Sequence, residues 1–142
     1  MFHDGNFYPY ENAVIVGARD IDKKELENIK DANIKVFTTE DIHKYGVDYV
    51  INEAINIASK DVNGIYVSYD IDVIDPNIVK GVSVPAENGI TKEEAYDILE
   101  TLLNSNLVKS MDVVEYNPLK DIDKNTLPIV VNIVNKIINK KH

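Results

Sequence analysis

The sequence predicts an α/β fold in which helices surround a mostly parallel sheet. Short runs rich in β-branched residues alternate with longer amphipathic stretches, which is the pattern of repeated βαβ units. The runs at residues 14–16, 65–67 and 113–114 are apolar at consecutive positions, as expected of strands covered by helices on both faces. The 142 residues, 44% of them hydrophobic, suffice for one globular domain or for a contiguous piece of one.

The individual elements follow from hydrophobic spacing. Between residues 47 and 59, apolar side chains recur three and four positions apart and form one stripe on a helix. Pro128 stands near the start of the last helical stretch, so we place it in the first turn. We predict strands at residues 13–17, 34–38, 64–70 and 107–115, and helices at residues 23–30, 47–59, 92–104 and 125–138.

The composition narrows the possible functions. A net charge of −9 would repel nucleic acid, and residues 140–142 form only a short basic tail. Because the chain has no cysteine, a metal ion must be held by oxygen or imidazole ligands. No apolar run reaches the roughly 18 residues of a membrane span, and the first residues do not resemble a signal peptide. We therefore expect a cytoplasmic protein that binds neither nucleic acid nor membranes.

Residues 67–76 contain the most informative acidic cluster. In an extended strand, residues two apart point to the same face, so Asp70 and Asp72 should project together, with Ser68 beside them. Ligands of open α/β sheets bind beyond the carboxyl ends of strands, which is where this pair falls. Two adjacent carboxylates are costly unless a cation compensates them, so the segment predicts a divalent metal site.

Other interpretations of the same residues stay open from spacing alone. Asp70 and Asp72 could be solvated acids after a strand, with Asp75 and Pro76 opening a turn. A calcium-binding EF-hand loop does not fit, because Asp75 stands where that loop needs glycine. A phosphoryl-transfer Asp-x-Asp motif is formally possible, although Val73 and Ile74 replace the Gly-Thr that usually follows it.

Three segments together resemble a known family. Residues 68–76, Ser-Tyr-Asp-Ile-Asp-Val-Ile-Asp-Pro, resemble the Ser-x-Asp-x-Asp-x-x-Asp-Pro signature of the ureohydrolases, which include arginases, agmatinases and formimidoylglutamases. Residues 112–118 are similar to the family's Asp-Val-Val-Glu-x-Asn-Pro stretch, and residues 16–22 to the Gly-x-Arg-Asp-x-Asp stretch of arginases. The resemblance implies a three-layer arginase-type fold, closest to arginase, of which this chain is roughly the C-terminal half.

The resemblance also implies roles for single residues. Asp70 and Asp72 match aspartates that ligate a pair of Mn²⁺ ions, and Glu115 matches the carboxylate that holds the substrate guanidinium. Asp22 and Glu25 match acids near the α-amino group of arginine. The implied activity is manganese-dependent hydrolysis of arginine or agmatine, with release of urea. Without the resemblance, Glu115 reads as a strand-end acid, and Asp22 and Glu25 as charges that suit a helix N-terminus.

The chain also departs from the family pattern. The family completes both metal centres with a His and an Asp-x-His-x-Asp cluster, which this sequence lacks; His3 and His43 stand alone, and His43 lies in a turn-and-helix segment that we expect at the surface. In the loop at residues 79–89, Val84 replaces a small polar residue near the substrate. A partner chain or a homo-oligomer could supply the missing ligands. The alternative is a non-catalytic, arginase-like subunit.

Overall fold

The computed structural model describes residues 10–140 and follows the predicted order of elements. All eight predicted elements are confirmed to within one residue at each end. One further helix, α2, contains His43, and two short 3₁₀ turns lie at Tyr10–Asn12 and Ile71–Val73. The strands are β1 (Val14–Ala18), β2 (Lys35–Thr38), β3 (Ile65–Asp70) and β4 (Val108–Val114), and the helices are α1 (Lys23–Asp31), α2 (Thr39–Tyr45), α3 (Val47–Ala58), α4 (Lys92–Asn104) and α5 (Thr126–Ile138).

Local side chains explain where the helices begin. Asp22, Thr38 and Thr91 each precede a helix, and the side chain of each accepts a hydrogen bond from the backbone N–H three residues later. The acidic side chain of that later residue in turn accepts a hydrogen bond from the backbone N–H of the capping residue. Such a capping box satisfies backbone donors that the first turn leaves unpaired. Pro128 is the third residue of α5, in its first turn as predicted, where its missing N–H costs no helical hydrogen bond.

The strands form two parallel pairs rather than one continuous sheet. β1 pairs with β2, with Val16 opposite Phe37, and β3 pairs with β4, with Tyr69 opposite Val113. Within residues 10–140, no hydrogen-bonded ladder joins β1 to β3. The parallel arrangement that the sequence predicts is therefore confirmed, but it is divided into two halves.

The core lies on the face of the strands that α2 to α5 cover. α2 and α3 pack against β1, α3 packs against α4, and α4 packs against α5. α1 lies on the opposite face, where Asn28 and Ile29 share a broad cavity with Ile15 and Ser68. That face is only partly covered, because Ile15 is 38% exposed and Tyr66 is 53% exposed. The expectation that both faces of these strands are buried was wrong for β1 and β3.

The helices of the described part of the chain are all too short or too polar to cross a membrane.

Candidate active site

The acidic cluster forms where β3 ends. Asp70 is the last residue of the strand, and its carboxylate accepts a hydrogen bond of 2.9 Å from the backbone N–H of Asp72. This bond starts the 3₁₀ turn Ile71–Val73, so Asp72 lies in a turn and not in an extended strand. The extended conformation that we predicted for Asp72 was therefore wrong, but Ser68, Asp70 and Asp72 line one cavity at the carboxyl end of β3, as expected of side chains that project together.

Asp70 lies in an environment that disfavours its ionised form. Its pKa is raised to about 6, mainly by burial and in addition by the negative charges of Asp72 and Glu115. The hydrogen bond from the Asp72 N–H and the charge of Arg19 oppose this shift without cancelling it. A half-buried carboxylate among like charges is stabilised by a cation, so the electrostatics of the cluster favour a positively charged ligand.

Arg19 is a component of the site to which the sequence assigned no role. The guanidinium donates to the backbone carbonyl of Asp72 and lies 3.6 Å from its carboxylate, and the side chain is only 10% exposed. A further hydrogen bond, 3.4 Å long, reaches the carbonyl of Ala86. Arg19 therefore ties the end of β1 to the turn after β3 and to the following loop. The only sequence signal for this role is the cation inside the Gly-x-Arg-Asp-x-Asp stretch.

Gly17 allows β1 and this turn to approach each other. It is buried, has a φ of +83°, and an added Cβ atom would lie 2.4 Å from Cγ2 of Val73. Any other residue would be strained both by the backbone conformation and by this contact. The close approach of β1 to the turn after β3 thus explains why a glycine stands at position 17 of the arginase-like stretch.

Glu115 follows directly after β4, the strand that pairs with β3, as predicted. The side chain is exposed, and its negative charge contributes to the raised pKa of Asp70. The backbone has a φ of +69°. Most non-glycine residues with positive φ in the described chain are Asn or Asp, which tolerate this region, whereas a glutamate there is strained by about 1–2 kcal/mol. Strain of this kind is often retained at functional positions.

Asp22 and Glu25 are primarily the caps of α1. The Asp22 carboxylate accepts hydrogen bonds from the N–H groups of Lys24 and Glu25, and the Glu25 carboxylate accepts one from the Asp22 N–H. Both side chains are exposed. Glu25 also lines the cavity that contains Asp70 and Asp72, whereas Asp22 is not among its lining residues. The structure therefore brings Glu25, and not Asp22, to the acidic cluster.

The remaining wall of the cavity, which has a volume of about 720 Å³, comes from the loop after the acidic cluster. Val84 and Ala86 line it, and Val84 is 69% exposed. The second motif holds this loop, because Asn117 donates 2.7 Å from its backbone N–H to the carbonyl of Gly81 and 3.0 Å from its side chain to Ser83. The three motifs thus converge on one end of the strands.

The residues present fit a metal ion only in part. Asp70 and Asp72 are hard oxygen donors of the kind that Mn²⁺ accepts. Across residues 10–140, however, no group of three or more His, Cys, Asp and Glu side chains is placed to hold an ion. His3 lies outside the described residues. His43 is exposed on α2, 3.5 Å from Glu94, and so lies at the surface as expected. The two carboxylates are therefore part of a metal site at most.

Known proteins have sequences and structures similar to those of this chain. The arginase family sequence profile matches residues 3–139. The arginase of Staphylococcus aureus strain COL is 40% identical over 132 residues, which are 92% of this chain and 44% of that protein. The Bacillus caldovelox arginase structure is 28% identical and superposes with a TM-score of 0.86 over 93% of this chain and 44% of that one. The Entamoeba histolytica arginase, solved in complex with L-ornithine, is 34% identical, with a TM-score of 0.80 over 89% of this chain and 42% of that one.

The chain thus spans less than half the length of the relatives that it matches, in agreement with the expectation that it corresponds to about half of an arginase-type fold. Because the family profile covers nearly all of the sequence and the superposition covers nearly all of the structure, this chain belongs to the arginase family.

Proposed function

We propose that the intact protein hydrolyses the guanidino group of arginine with release of urea, and that this chain supplies one side of the active site. The observation that carries the proposal is the gathering of Asp70, Asp72 and Glu115 at the carboxyl ends of two paired strands. Burial, together with the negative charges of Asp72 and Glu115, raises the pKa of Asp70 to about 6. Such a cluster suits metal ions and a cationic guanidinium.

The relatives support the choice of substrate. The matched proteins of S. aureus and B. caldovelox are arginases. The E. histolytica arginase was solved with L-ornithine, which is the amine that remains when urea is removed from arginine. The substrate class is therefore a guanidino amino acid.

Each residue of the cluster has a distinct part in this proposal. Asp70 and Asp72 contribute oxygen ligands to a pair of Mn²⁺ ions, which supply Lewis-acid activation of water when bound. Arg19 acts as a positioning residue, because it holds both the backbone and the carboxylate of Asp72. Glu115 binds the substrate guanidinium by a charge-assisted hydrogen bond and orients it toward the carboxylates. The strained backbone of Glu115 is consistent with such a fixed orientation.

Glu25 favours arginine over agmatine. Glu25 lines the same cavity, and the carboxylate oxygen that does not cap α1 is available to the α-ammonium group that arginine has and agmatine lacks. Asp22 supports this arrangement by fixing the first turn of α1, which carries Glu25. The exposed Val84 contributes an apolar contact at the mouth of the cavity.

The proposal requires further ligands from another part of the protein or from a partner chain, because the described residues offer too few. That shortage also supports the second candidate, a non-catalytic arginase-like subunit. The two differ in one respect, namely whether the site becomes active when the rest of an arginase fold is present.

A fusion protein tests the proposal directly. The part of the S. aureus arginase that this chain does not match is joined to the chain, and urea release is measured with excess Mn²⁺ and with arginine or agmatine. We expect activity in the fusion, preference for arginine, and no activity in the isolated chain. Asp70→Ala and Glu115→Ala should each reduce kcat/KM at least about 100-fold, because each removes a group that acts in the transition state.

Asp97→Asn is the matched control, since Asp97 is an exposed acid on α4 outside the site. It should leave the rate unchanged. A folded fusion that binds Mn²⁺ in a calorimetric titration and yet releases no urea would favour the non-catalytic subunit. Urea release by the isolated chain, abolished in Asp70→Ala, would show that the metal site is completed in a way that the structure does not reveal.

A further inference from the structure

Asp121 and Thr126 form a buried polar pair that has no part in the reaction proposed above. Among the described residues, Asp121 is the one acidic side chain that is buried, and Thr126 is completely buried. Asp121 caps α5 by accepting hydrogen bonds from the N–H groups of Thr126 and Leu127. A helix is capped equally well at the surface, as Asp22 caps α1, so capping alone does not account for a buried carboxylate.

One connection of the pair leads to the loop that lines the cavity. The Thr126 hydroxyl accepts a hydrogen bond of 2.8 Å from the backbone N–H of Gly81. Burial would raise the pKa of Asp121, but hydrogen bonds from the Thr126 and Leu127 N–H groups and from the Thr126 hydroxyl hold the pKa below its ordinary value. Because an ionised carboxylate only accepts, the Thr126 hydroxyl gives its hydrogen to Asp121 and offers a lone pair to Gly81.

The loop approaches the pair as closely as a backbone can. A Cβ atom added to Gly81 would lie 2.7 Å from Cβ of Asp121 and 3.0 Å from Oγ1 of Thr126. The carbonyl of Gly81 is also bound, since it accepts the hydrogen bond from the Asn117 N–H. Both backbone polar groups of Gly81 are therefore fixed. The loop then runs to Ala86, which lines the cavity and whose carbonyl accepts a hydrogen bond from Arg19.

The other connection of the pair leads to Glu115. The Tyr116 hydroxyl donates a hydrogen bond of 3.2 Å to the Asp121 carboxylate, and the Tyr116 backbone forms a short antiparallel bridge with Val82. Glu115 stands between this anchored residue and the end of β4, with a positive φ. A non-glycine residue keeps such a conformation only where the surrounding structure fixes the chain around it. β4 fixes the chain before Glu115, and the contacts of Tyr116 fix it afterwards.

We propose that Asp121 and Thr126 are positioning residues, which hold Glu115 and the loop at residues 81–86 in a fixed relation at the mouth of the cavity. Neither residue lines the cavity, so both act through Tyr116 and Gly81. The inference rests on the proposed function for the use of this arrangement: a guanidinium held by Glu115 has to meet the metal-bound side of the site at a defined angle. A displacement of about 1 Å can cost about 100-fold in rate.

A matched pair of substitutions at Thr126 tests the positioning role. Thr126→Val removes the acceptor and keeps the shape, whereas Thr126→Ser keeps the acceptor. In the 142-residue chain, Thr126→Val should make the amides of Gly81 and Asn117 exchange at least about tenfold faster, and should shift the backbone resonances of Glu115. The Asn117 amide is bonded to Gly81 and not to Thr126, so its exchange reports the position of the loop. Thr126→Ser should leave these amides and resonances close to those of the wild type, and the amides of α4 should not change in either variant.

Two outcomes of this measurement would overturn the proposal. Unchanged exchange at Gly81 and Asn117 together with unmoved resonances of Glu115 in Thr126→Val would show that the pair holds neither segment. Equal acceleration of all amides, including those of α4, would show that the pair acts only on global stability. Tyr116→Phe provides a second variant, because it cuts only the connection to Glu115. It should shift the resonances of Glu115 and leave the exchange of Gly81 unchanged, and the reverse result would contradict the two separate connections.

The fusion with the unmatched part of the S. aureus arginase provides the kinetic test. Thr126→Val should lower kcat for arginine at least about tenfold, whereas Thr126→Ser should stay within about threefold of the wild type. The dissociation constant of Mn²⁺ should change less than about twofold, because Asp70 and Asp72 lie outside the network. An undiminished kcat in Thr126→Val would overturn the positioning role. A wild-type fusion that releases no urea would contradict the proposed function, and amide exchange and the Glu115 resonances would then decide the inference by themselves.

Discussion

The two strand pairs differ in how completely the described chain buries one of their helices, α4 beside β3 and β4 and α1 beside β1 and β2. Next to β3 and β4, helix α4 buries Ala95, Ile98, Leu99 and Leu102. Next to β1 and β2, helix α1 has only two apolar residues, Leu26 and Ile29, and no buried residue; Leu26 is 41% exposed. Both helices have full capping boxes at their N-termini.

This difference shows that helix formation and helix burial are separate requirements. Capping and amphipathic spacing are encoded within about ten residues, so α1 and α4 both form. Burial requires another surface to pack against. Within the described chain, α4 packs fully against such a surface, whereas α1 is covered only in part. Helix α1 should therefore contribute less to the stability of the isolated chain than helix α4.

A matched pair of leucine-to-alanine substitutions should give the largest difference in the free energy of unfolding. Leu99→Ala in α4 should lower the free energy of unfolding by about 2–5 kcal/mol, because Leu99 is fully buried and its removal leaves a cavity. Leu26→Ala in α1 should lower it by less than about 1 kcal/mol, since much of that side chain is already in water. Urea denaturation followed by circular dichroism measures both. Equal losses would mean that α1 is packed as tightly as α4.

Replacing a buried and an exposed helix-capping aspartate should give the next largest difference in stability. The Asp121 carboxylate accepts hydrogen bonds from the N–H groups of Thr126 (3.0 Å) and Leu127 (2.9 Å) at the start of α5, and is 5% exposed. Asp121→Asn should destabilise the chain by about 1–3 kcal/mol, because the new amide group faces a donor. Asp22→Asn at the exposed start of α1 should cost only a few tenths of a kcal/mol, since Asn is also a good cap.

The effect of Asp121 should depend on pH. Burial alone would raise the pKa of Asp121, but the hydrogen bonds from Thr126 and Leu127 outweigh it and hold the pKa below its ordinary value. A lowered pKa in the folded state contributes stability above the unfolded value of about 3.9, and this contribution is lost as pH falls through the folded value. The difference between wild type and Asp121→Asn should be constant from pH 7 to about pH 5 and shrink below about pH 4. A difference that persists at pH 2.5 would assign the effect to shape rather than charge.

The contrast between local helix formation and burial by distant partners also explains which features the sequence could predict. The positions of the four strands and of α1, α3, α4 and α5 depend on nearby residues, such as the box formed by Thr91 and Glu94, and they were predicted to within one residue. The short helix α2 was not among the predicted helices. The grouping of Asp70 with Asp72 and the position of Glu115 at the next strand end also followed from motifs and topology. All of these features are set by short segments or by the order of elements.

The features that were missed depend on distant contacts. Arg19 binds Asp72, which is 53 residues away, and no local pattern predicts such a pair. The turn at Asp72 arises because the Asp70 side chain competes with the strand for a backbone N–H, which residue spacing does not show. The division of the sheet and the exposure of Ile15 depend on how distant segments pack, which a pattern of apolar residues along the chain does not reveal.

The smallest expected effect concerns the ion pair that crosses between the two regions. His43 of α2 and Glu94 of α4 lie 3.5 Å apart, but their side chains are 46% and 25% exposed, and α3 already joins the regions through buried contacts with β1 and α4. Exposed ion pairs typically contribute about 0–1 kcal/mol, so His43→Ala should change the free energy of unfolding by less than about 0.5 kcal/mol. Lys136→Ala removes the similarly exposed pair with Glu100 inside the α4 and α5 region and should have an effect of the same size. Denaturation midpoints at low and high salt measure both variants. A loss above about 1.5 kcal/mol for His43→Ala alone would show that the two regions are held together by this contact rather than by the apolar packing of α3.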